Sequence, residues 1–333
     1  MILVTGGTGL VGSHLLYHLT QKNEAIRAIY RTVEKREYVK KIFSYYTDDI
    51  ESVFSKIEWI KADITEVPSL IPVFKNINIV YHCAALVSFN PKDYRKMRQV
   101  NIDGTANMIN LSIDNQIQKF CFVSSIAAVG NSINNKPIDE ENEWSDNDDN
   151  NGYSITKYGA EMEVWRGSQE GLEVVIVNPG IILGSGFWNE GSGKMFTQIN
   201  NGFKFYTEGI TGFVGVQDVV KAMIALTKSS IKNERFILVS ENKSFKDILF
   251  AIADGLSKKK PSFKTGKAVT EVFWRIDWLL TKITGKEPLL TKNSAKSSHN
   301  KSFYSSEKIN KELNFTFIPI SKTIKNICND FIS

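Results

Sequence analysis

Apolar residues along this chain fall into two alternating patterns. Met1 to Val4 is an apolar run too short for a helix and closed at once by glycines, so it reads as a buried strand, and Val11, Leu15 and Leu19 follow it at helical spacing. The alternation continues. Residues 25–30, 57–62, 78–82 and 119–124 read as the second to fifth strands, and residues 173–177 and 235–239 as the sixth and seventh. Helical stretches lie between them at 37–56, 91–115, 153–169 and 217–227, with a short helix after residue 63 broken at Pro68 and Pro72. Strands alternating with helices predict an α/β protein built on a doubly wound, seven-stranded parallel sheet.

The turn that joins the first strand to the first helix is Thr5-Gly6-Gly7-Thr8-Gly9-Leu10-Val11-Gly12. Strand, glycine turn and helix in this order form the dinucleotide fingerprint of a Rossmann sheet. Gly6 allows the tight turn, Gly9 lets the backbone approach a pyrophosphate, and Gly12 lets the helix pack closely on the strand. The phosphates then sit on free N–H groups at a helix N-terminus. In such a fold the residue closing the second strand meets the adenosine ribose, and an acid there accepts the 2′-hydroxyl. This chain has Tyr30 and Arg31 at that point, with Lys35 and Arg36 beyond and Glu34 as the first acid. That set suits a 2′-phosphate, and hence NADP rather than NAD.

Ligands in open α/β sheets bind at the C-terminal strand ends. Two of those ends carry His82-Cys83-Ala84-Ala85 and Val123-Ser124-Ser125. Ala84 and Ala85 are small enough for a cofactor to lie flat against them, whereas His82 reads as a packed histidine. The helix after the fifth strand opens with Tyr153-Ser154-Ile155-Thr156-Lys157, and residues four apart share a helix face. A nearby ammonium favours the phenolate, so Lys157 is expected to lower the Tyr153 pKa toward the range useful for an acid or base at a carbonyl.

Composition narrows the class. A length of 333 residues, with 42% hydrophobic and 23% charged residues, is that of a soluble globular protein with one large core or two unequal ones. The net charge of +5 comes from scattered lysines, and Lys258-Lys259-Lys260 is the only basic run; it reads as solvated surface, so no nucleic-acid partner is expected. Cys83, Cys121 and Cys328 show no metal-ligand spacing; they read as buried thiols in a reducing compartment, and no metal is expected. No apolar run reaches the length of a membrane span and no basic segment precedes the first strand, so the expected location is the cytoplasm, with no membrane partner. Residues 139–151, acidic and rich in asparagine, read as a surface loop.

Taken together, the motifs make the chain resemble the extended short-chain dehydrogenase/reductase family, also called the NAD-dependent epimerase/dehydratase family, over nearly its whole length. The matching pieces are TGGTGLVG, ADIT at 62–65, HCAA at 82–85, NIDGT at 101–105, VSSIAAVG at 123–130, YSITK at 153–157 and NPGIILG at 178–184. The resemblance implies that Gly6, Thr8, Gly9, Leu10, Val11 and Gly12 carry the pyrophosphate. It assigns Arg31 to the ribose phosphate, Asp63 and Ile64 to the adenine, and Ala84, Ala85 and Pro179 to the cofactor's inner half. It makes Tyr153 the acid/base and Lys157 its partner on the nicotinamide ribose. Ser125 holds the substrate oxygen, and Asn101 kinks its helix. It also implies a homodimer paired through the helices at 91–115 and 153–169.

The second half matches less tightly. A Rossmann domain of residues 1–178, completed by about 211–240, is expected beside a smaller, mostly helical C-terminal substrate domain of residues 179–210 and 241–333. Phe187, Trp188, Phe203, Phe205 and Phe213 read as core or pocket lining. The amphipathic stretch 268–284, with Trp274, Trp278, Leu279 and Ile283, reads as core or pocket wall rather than a membrane anchor, because Glu271, Arg275 and Asp277 interrupt it. Within the family, Arg27-x-x-x-Arg31 and the tail patterns ITGKEPLL at 283–290 and FYSSEK at 303–308 resemble dihydroflavonol reductases and 3β-hydroxysteroid dehydrogenases. Ile126 and Ala127 stand where sugar dehydratases show an Asp-Glu pair, and few arginines are available to clamp a nucleotide diphosphate. Asn178, where many relatives have arginine, points the other way, toward sugar nucleotides. The expected activity is NADP(H)-dependent interconversion of a ketone and a secondary alcohol. The alternatives are a nucleotide-sugar epimerase that keeps its NAD and, less in keeping with Ser125, Tyr153 and Lys157, a non-catalytic dinucleotide sensor.

Overall fold

The structure is a computed structural model that describes residues 1–22, 24–133, 136–145, 150–284 and 291–333, with the side chains of 278–284 left aside. Seven parallel strands form the central sheet: β1 (Ile2–Thr5), β2 (Ile26–Tyr30), β3 (Ile57–Lys61), β4 (Ile79–His82), β5 (Lys119–Val123), β6 (Val174–Pro179) and a late strand, Glu234–Leu238. Three shorter strands precede that last one, β7 (Ile181–Leu183), β8 (Phe205–Tyr206) and β9 (Ile210–Gly215), which makes it β10; β11 (Glu241–Ser244) and β12 (Phe263–Lys264) follow. The sheet order is β10-β6-β5-β4-β1-β2-β3. The chain therefore winds outward from β1 in both directions, and the switch point lies between β1 and β4.

Both faces of the sheet are covered, which is why its strands read as continuous apolar runs. Alternate residues go to opposite cores. Ile2, Val4, Ile26, Ala28, Tyr81, Cys121, Val175 and Val177 pack with the helices Leu10–Thr20 and Val216–Lys228. Leu3, Ile29, Val80, Phe120, Phe122, Val174 and Ile176 pack with Gly104–Asp114 and Gly152–Gln169 on the other side. A third apolar cluster, including Leu183, Phe196, Phe213, Ile252, Ile324 and Ile327, lies outside the sheet.

Three expected elements differ. The helix placed at 37–56 is two, Val33–Phe43 and Ile50–Ser55, because Thr47-Asp48-Asp49 turns the chain; the Thr47 hydroxyl accepts from the Asp49 N–H at 3.2 Å. The stretch 91–115 is a composite: a 3₁₀ turn at Pro91–Asp93, an α-turn at Tyr94–Arg98, a π-helical turn at Gln99–Asp103 and an α-helix at Gly104–Asp114. The C-terminal half also holds more strand than expected. β11, β9 and β7 form a three-stranded sheet, and β12 pairs with β8. Cys121 and Cys328 are buried and Cys83 is half-buried, all three as free thiols. Residues 146–149 of the acidic loop and 285–290 of the ITGKEPLL pattern lie outside the described residues.

Candidate active site

The C-terminal edge of the sheet gathers most of the residues singled out by sequence. Gly6 adopts φ +65°, and a Cβ on it would stand 2.6 Å from Ala84 N, so the segments leaving β1 and β4 abut backbone to backbone. A Cβ on Gly12 would lie 2.2 Å from the Gly6 carbonyl oxygen. At Gly9 the nearest atom is 3.5 Å away, so the turn is closed at Gly6 and Gly12 and open over Gly9. Gly9 caps the helix Leu10–Thr20 without any side-chain acceptor, and the N–H groups of its first turn have no intrahelical partner. This cradle fits a pyrophosphate.

Beyond β2, Arg31 is half-exposed, with Nη1 3.9 Å from Asp63 Oδ2, and the Arg36 guanidinium lies 5.1 Å above the Tyr30 ring. Asp63 Oδ1 accepts from the Thr65 N–H at 2.9 Å and its hydroxyl at 2.8 Å, which fixes the turn where Ile64 is buried. Two cations therefore flank the end of β2. Ala84 is half-buried and Ala85 exposed after β4. Pro179 ends β6 and is buried.

His82 is structural, as its pattern suggested. It is fully buried between the Thr5 hydroxyl, 2.6 Å from Nδ1, and the Thr105 hydroxyl, 3.0 Å from Nε2. Burial pushes its pKa down to about 3, so it is neutral at physiological pH. Asn101 sits in the π-helical turn. Its Oδ1 accepts from the Leu86 N–H at 2.7 Å, while Nδ2 donates to the Leu86 carbonyl and the Thr156 hydroxyl, both at 3.0 Å. The extra residue of the π-turn thus ties the loop after β4 to the helix that carries Tyr153.

That helix, Gly152–Gln169, is started by a capping box between Asn151 and Ser154. Tyr153 lies in its first turn, with its phenol toward the Ser125 hydroxyl and its ring edge-on to Phe89 at 5.7 Å. Ser125 begins the 3₁₀ turn Ile126–Ala128, and its Oγ accepts from the Ala127 N–H at 3.1 Å. The expected lowering of the Tyr153 pKa is not what the geometry gives. Burial raises it, and only the Ser125 hydroxyl works against that. The buried Lys157 ammonium is turned to the Val123 carbonyl at 2.8 Å and lies 4.6 Å from the Phe122 ring centroid. Burial lowers the Lys157 pKa to about 8, with Glu161 pulling it back up.

Glu161, one turn further along, is a residue that the sequence reading passed over. It is wholly buried, and Oε2 accepts from Ser124 Oγ at 2.6 Å and Asn178 Nδ2 at 2.8 Å, while Oε1 pairs with Arg235 Nη1 at 3.3 Å. Asn178 Nδ2 also donates to the Ser125 carbonyl at 3.0 Å, and its Oδ1 has no partner among the described residues. Asn178 is therefore a buried bracket behind Ser125, which removes it as a direct contact for a sugar nucleotide. The four-residue spacing Tyr153, Lys157, Glu161 was the available signal.

Comparison with known proteins identifies the family. Residues 4–240 match the model of the NAD-binding family described as male sterility protein. A protein of Synechocystis sp., provisionally named dihydroflavonol 4-reductase, is 25% identical over 324 residues, covering 93% of this chain and 88% of the relative. Anthocyanidin reductase of Arabidopsis thaliana is 26% identical over 286 residues, covering 78% and 80% of the two chains. Among solved structures, gox2253 superposes with a TM-score of 0.81 at 24% identity, covering 100% of this chain and 98% of that one, which speaks for the fold. The family model and these relatives make the chain an NAD(P)-dependent enzyme of the reductase and epimerase class. The chain belongs to the male sterility protein family of NAD-binding proteins, within the extended short-chain dehydrogenase/reductases.

Proposed function

We propose that the protein interconverts a ketone and a secondary alcohol with NADP(H), and that Tyr153 is its acid/base. The observation that carries this reading is the pairing of Tyr153 with the Ser125 hydroxyl at the C-terminal edge of β5, two strands from the glycine turn. When bound, the dinucleotide supplies or accepts the hydride. The chain's own residues do the rest: Ser125 holds the substrate oxygen, the Tyr153 phenol gives it a proton or takes one away, and Asn101 fixes the tyrosine helix through Thr156. Lys157 is assigned to the nicotinamide ribose. The backbone of residues 8–12 receives the pyrophosphate, Asp63 and Ile64 the adenine, and Ala84, Ala85 and Pro179 line the inner half. Arg31, with Arg36 behind it on Tyr30, favours a 2′-phosphate.

The relative named for dihydroflavonol reduction makes ring ketones of the dihydroflavonol type the first substrates to try. A homodimer is part of the same reading. Tyr94, Ile155 and Met162 leave apolar surface exposed on the helices assigned to the interface.

The test is Tyr153→Phe, followed by nicotinamide absorbance. Turnover should fall by at least about a hundredfold, the contribution of a general acid, with NADPH affinity little changed. Activity within about tenfold of wild type would refute the assignment. Net cofactor consumption separates a reductase from an epimerase, which returns the hydride to its own substrate.

A further inference from the structure

The helix Lys267–Thr284 is built inside out. Its apolar residues Val269, Val272, Phe273 and Ile276 recur at three- and four-residue spacing and form one stripe, yet they are 47%, 56%, 49% and 52% exposed. The side facing the protein holds Thr270, which is buried and bonded to His299 Nε2 at 2.8 Å. Of the residues expected to form core or pocket wall, Trp274 is half-buried and the side chains of Trp278, Leu279 and Ile283 lie outside the described residues; the stripe itself is exposed. The stripe continues onto neighbouring strands. Phe273 packs 5.9 Å from Phe205 on β8, which in turn packs against Phe203 at 5.9 Å and Phe263 on β12 at 5.8 Å, and all three are exposed as well. Seven large apolar side chains thus make one outward face.

Its rim is basic. Between Lys258 and Asp277 there are six cations and two acids, so these twenty residues carry a net +4 of the chain's +5. Three of those six cations are ion-paired: Lys264 with Glu208 at 2.5 Å, Arg275 with Glu271 at 2.6 Å and Lys260 with Asp254 at 2.9 Å. Lys204, Lys258, Lys259 and Lys267 are exposed with no ion pair among the described residues. Much of the chain's net positive charge thus lies in the segment that carries the apolar stripe.

We propose that this face docks on the surface of an anionic lipid bilayer, with the phenylalanines and valines in the headgroup region and the lysines on lipid phosphates. Charge chooses the occupant. A second copy seated on the same face would bring two net-positive rims together, whereas an anionic leaflet neutralises the rim and accepts the apolar stripe together. No helix among the described residues is long and apolar enough to cross a membrane, so the contact is at the surface.

Flotation with vesicles tests this on the full-length protein. Vesicles of phosphatidylcholine with phosphatidylglycerol should carry wild type upward at low salt, phosphatidylcholine alone should not, and raised salt should weaken the binding. Lys258→Ser, Lys259→Ser and Lys260→Ser combined should weaken it by about a hundredfold, at roughly fivefold per lysine near a charged surface. Val272→Glu with Phe273→Glu should abolish it. Both variants alter only exposed side chains, and unchanged circular dichroism and NADPH titration show that each is folded. No binding to the anionic vesicles, or binding that survives both variants, overturns the proposal. So does a change of mass by light scattering on adding Val272→Glu and Phe273→Glu to a wild type that ignores vesicles, because a second copy would then be the occupant. None of these measurements depends on which substrate the enzyme turns over.

Discussion

Replacing Glu161 probes the arrangement behind Ser125 and Lys157 most directly. In Glu161→Leu, Ser124 Oγ and Asn178 Nδ2 lose their carboxylate acceptor, and Arg235 loses its only carboxylate partner among the described residues. Arg235 keeps hydrogen bonds to the Glu140 and Asn142 carbonyls, but carbonyls do not neutralise a guanidinium. Glu161 is wholly buried and Arg235 nearly so, and breaking a buried pair from one side costs about 3–5 kcal/mol. Glu161→Gln keeps the shape and one acceptor but turns an NH₂ group against existing donors, for about 1–3 kcal/mol. Urea unfolding should rank wild type, Gln and Leu in that order. The charge has a separate signature. Glu161 holds the Lys157 pKa up, so Glu161→Gln should drive it further below about 8 and move the alkaline limb of the kcat/KM profile to lower pH. Glu161→Gln with an unshifted profile, or Glu161→Leu within about 1 kcal/mol of wild type, would refute this account.

Gly9→Ala should unfold at the wild-type urea concentration, since the nearest atom to the added Cβ is 3.5 Å away, yet titrate with NADPH roughly a hundredfold more weakly, having lost backbone contacts to phosphate worth about 1.5–3 kcal/mol each. Gly12→Ala, whose Cβ would lie 2.2 Å from a carbonyl oxygen, should instead be destabilised whether or not cofactor is present. Arg31→Ala should weaken NADPH binding about tenfold to a hundredfold and leave NADH binding unchanged; equal losses for both would remove Arg31 from the 2′-phosphate site. Burial pushes His14 down to about 4 and His82 to about 3, from 6.5 in the unfolded chain. The unfolded chain therefore binds more protons below pH 6.5, and stability should fall with added acid by about 1.4 kcal/mol per pH unit for each histidine until about pH 4. His82→Gln should flatten that slope, as read from urea unfolding at a series of pH values.

The seven-stranded sheet was legible because its strands are buried on both faces. Ile2, Leu3 and Val4 go to opposite cores with no polar position between them, and glycine turns and helical spacing punctuate such runs clearly. Where short strands lie at an edge or outside the main core, the signal weakens. The two-residue strands Phe205–Tyr206 and Phe263–Lys264 exist only because they pair with one another, and nothing within either segment announces the other. The same holds for Glu241–Ser244, a polar segment that becomes a strand by pairing antiparallel with Ile210–Gly215. The helix at 37–56 was misread for a local reason: apolar spacing runs through residues 44–49, but the threonine and aspartates there favour a turn.

At the site, spacing brought the right groups together but could not say which way they face. Tyr153 and Lys157 do share a helix face, so a mutual interaction was a fair expectation. What the spacing could not show is the backbone carbonyl of Val123, which the end of β5 presents to the ammonium. With the ammonium bonded to that carbonyl, burial of the phenol is the largest influence on Tyr153. The helix Lys267–Thr284, expected as core or pocket wall, shows the same limit of local pattern in its described residues, where Val269, Val272, Phe273 and Ile276 are exposed. Periodicity shows that a helix has an apolar side; only Thr270 held against His299, together with the ring contacts that run from Phe273 to Phe263, shows that this side faces outward. The two cases have one physical origin. Local sequence determines which side chains lie on a common face, and the partners opposite that face, which come from distant segments, determine its electrostatics and its burial.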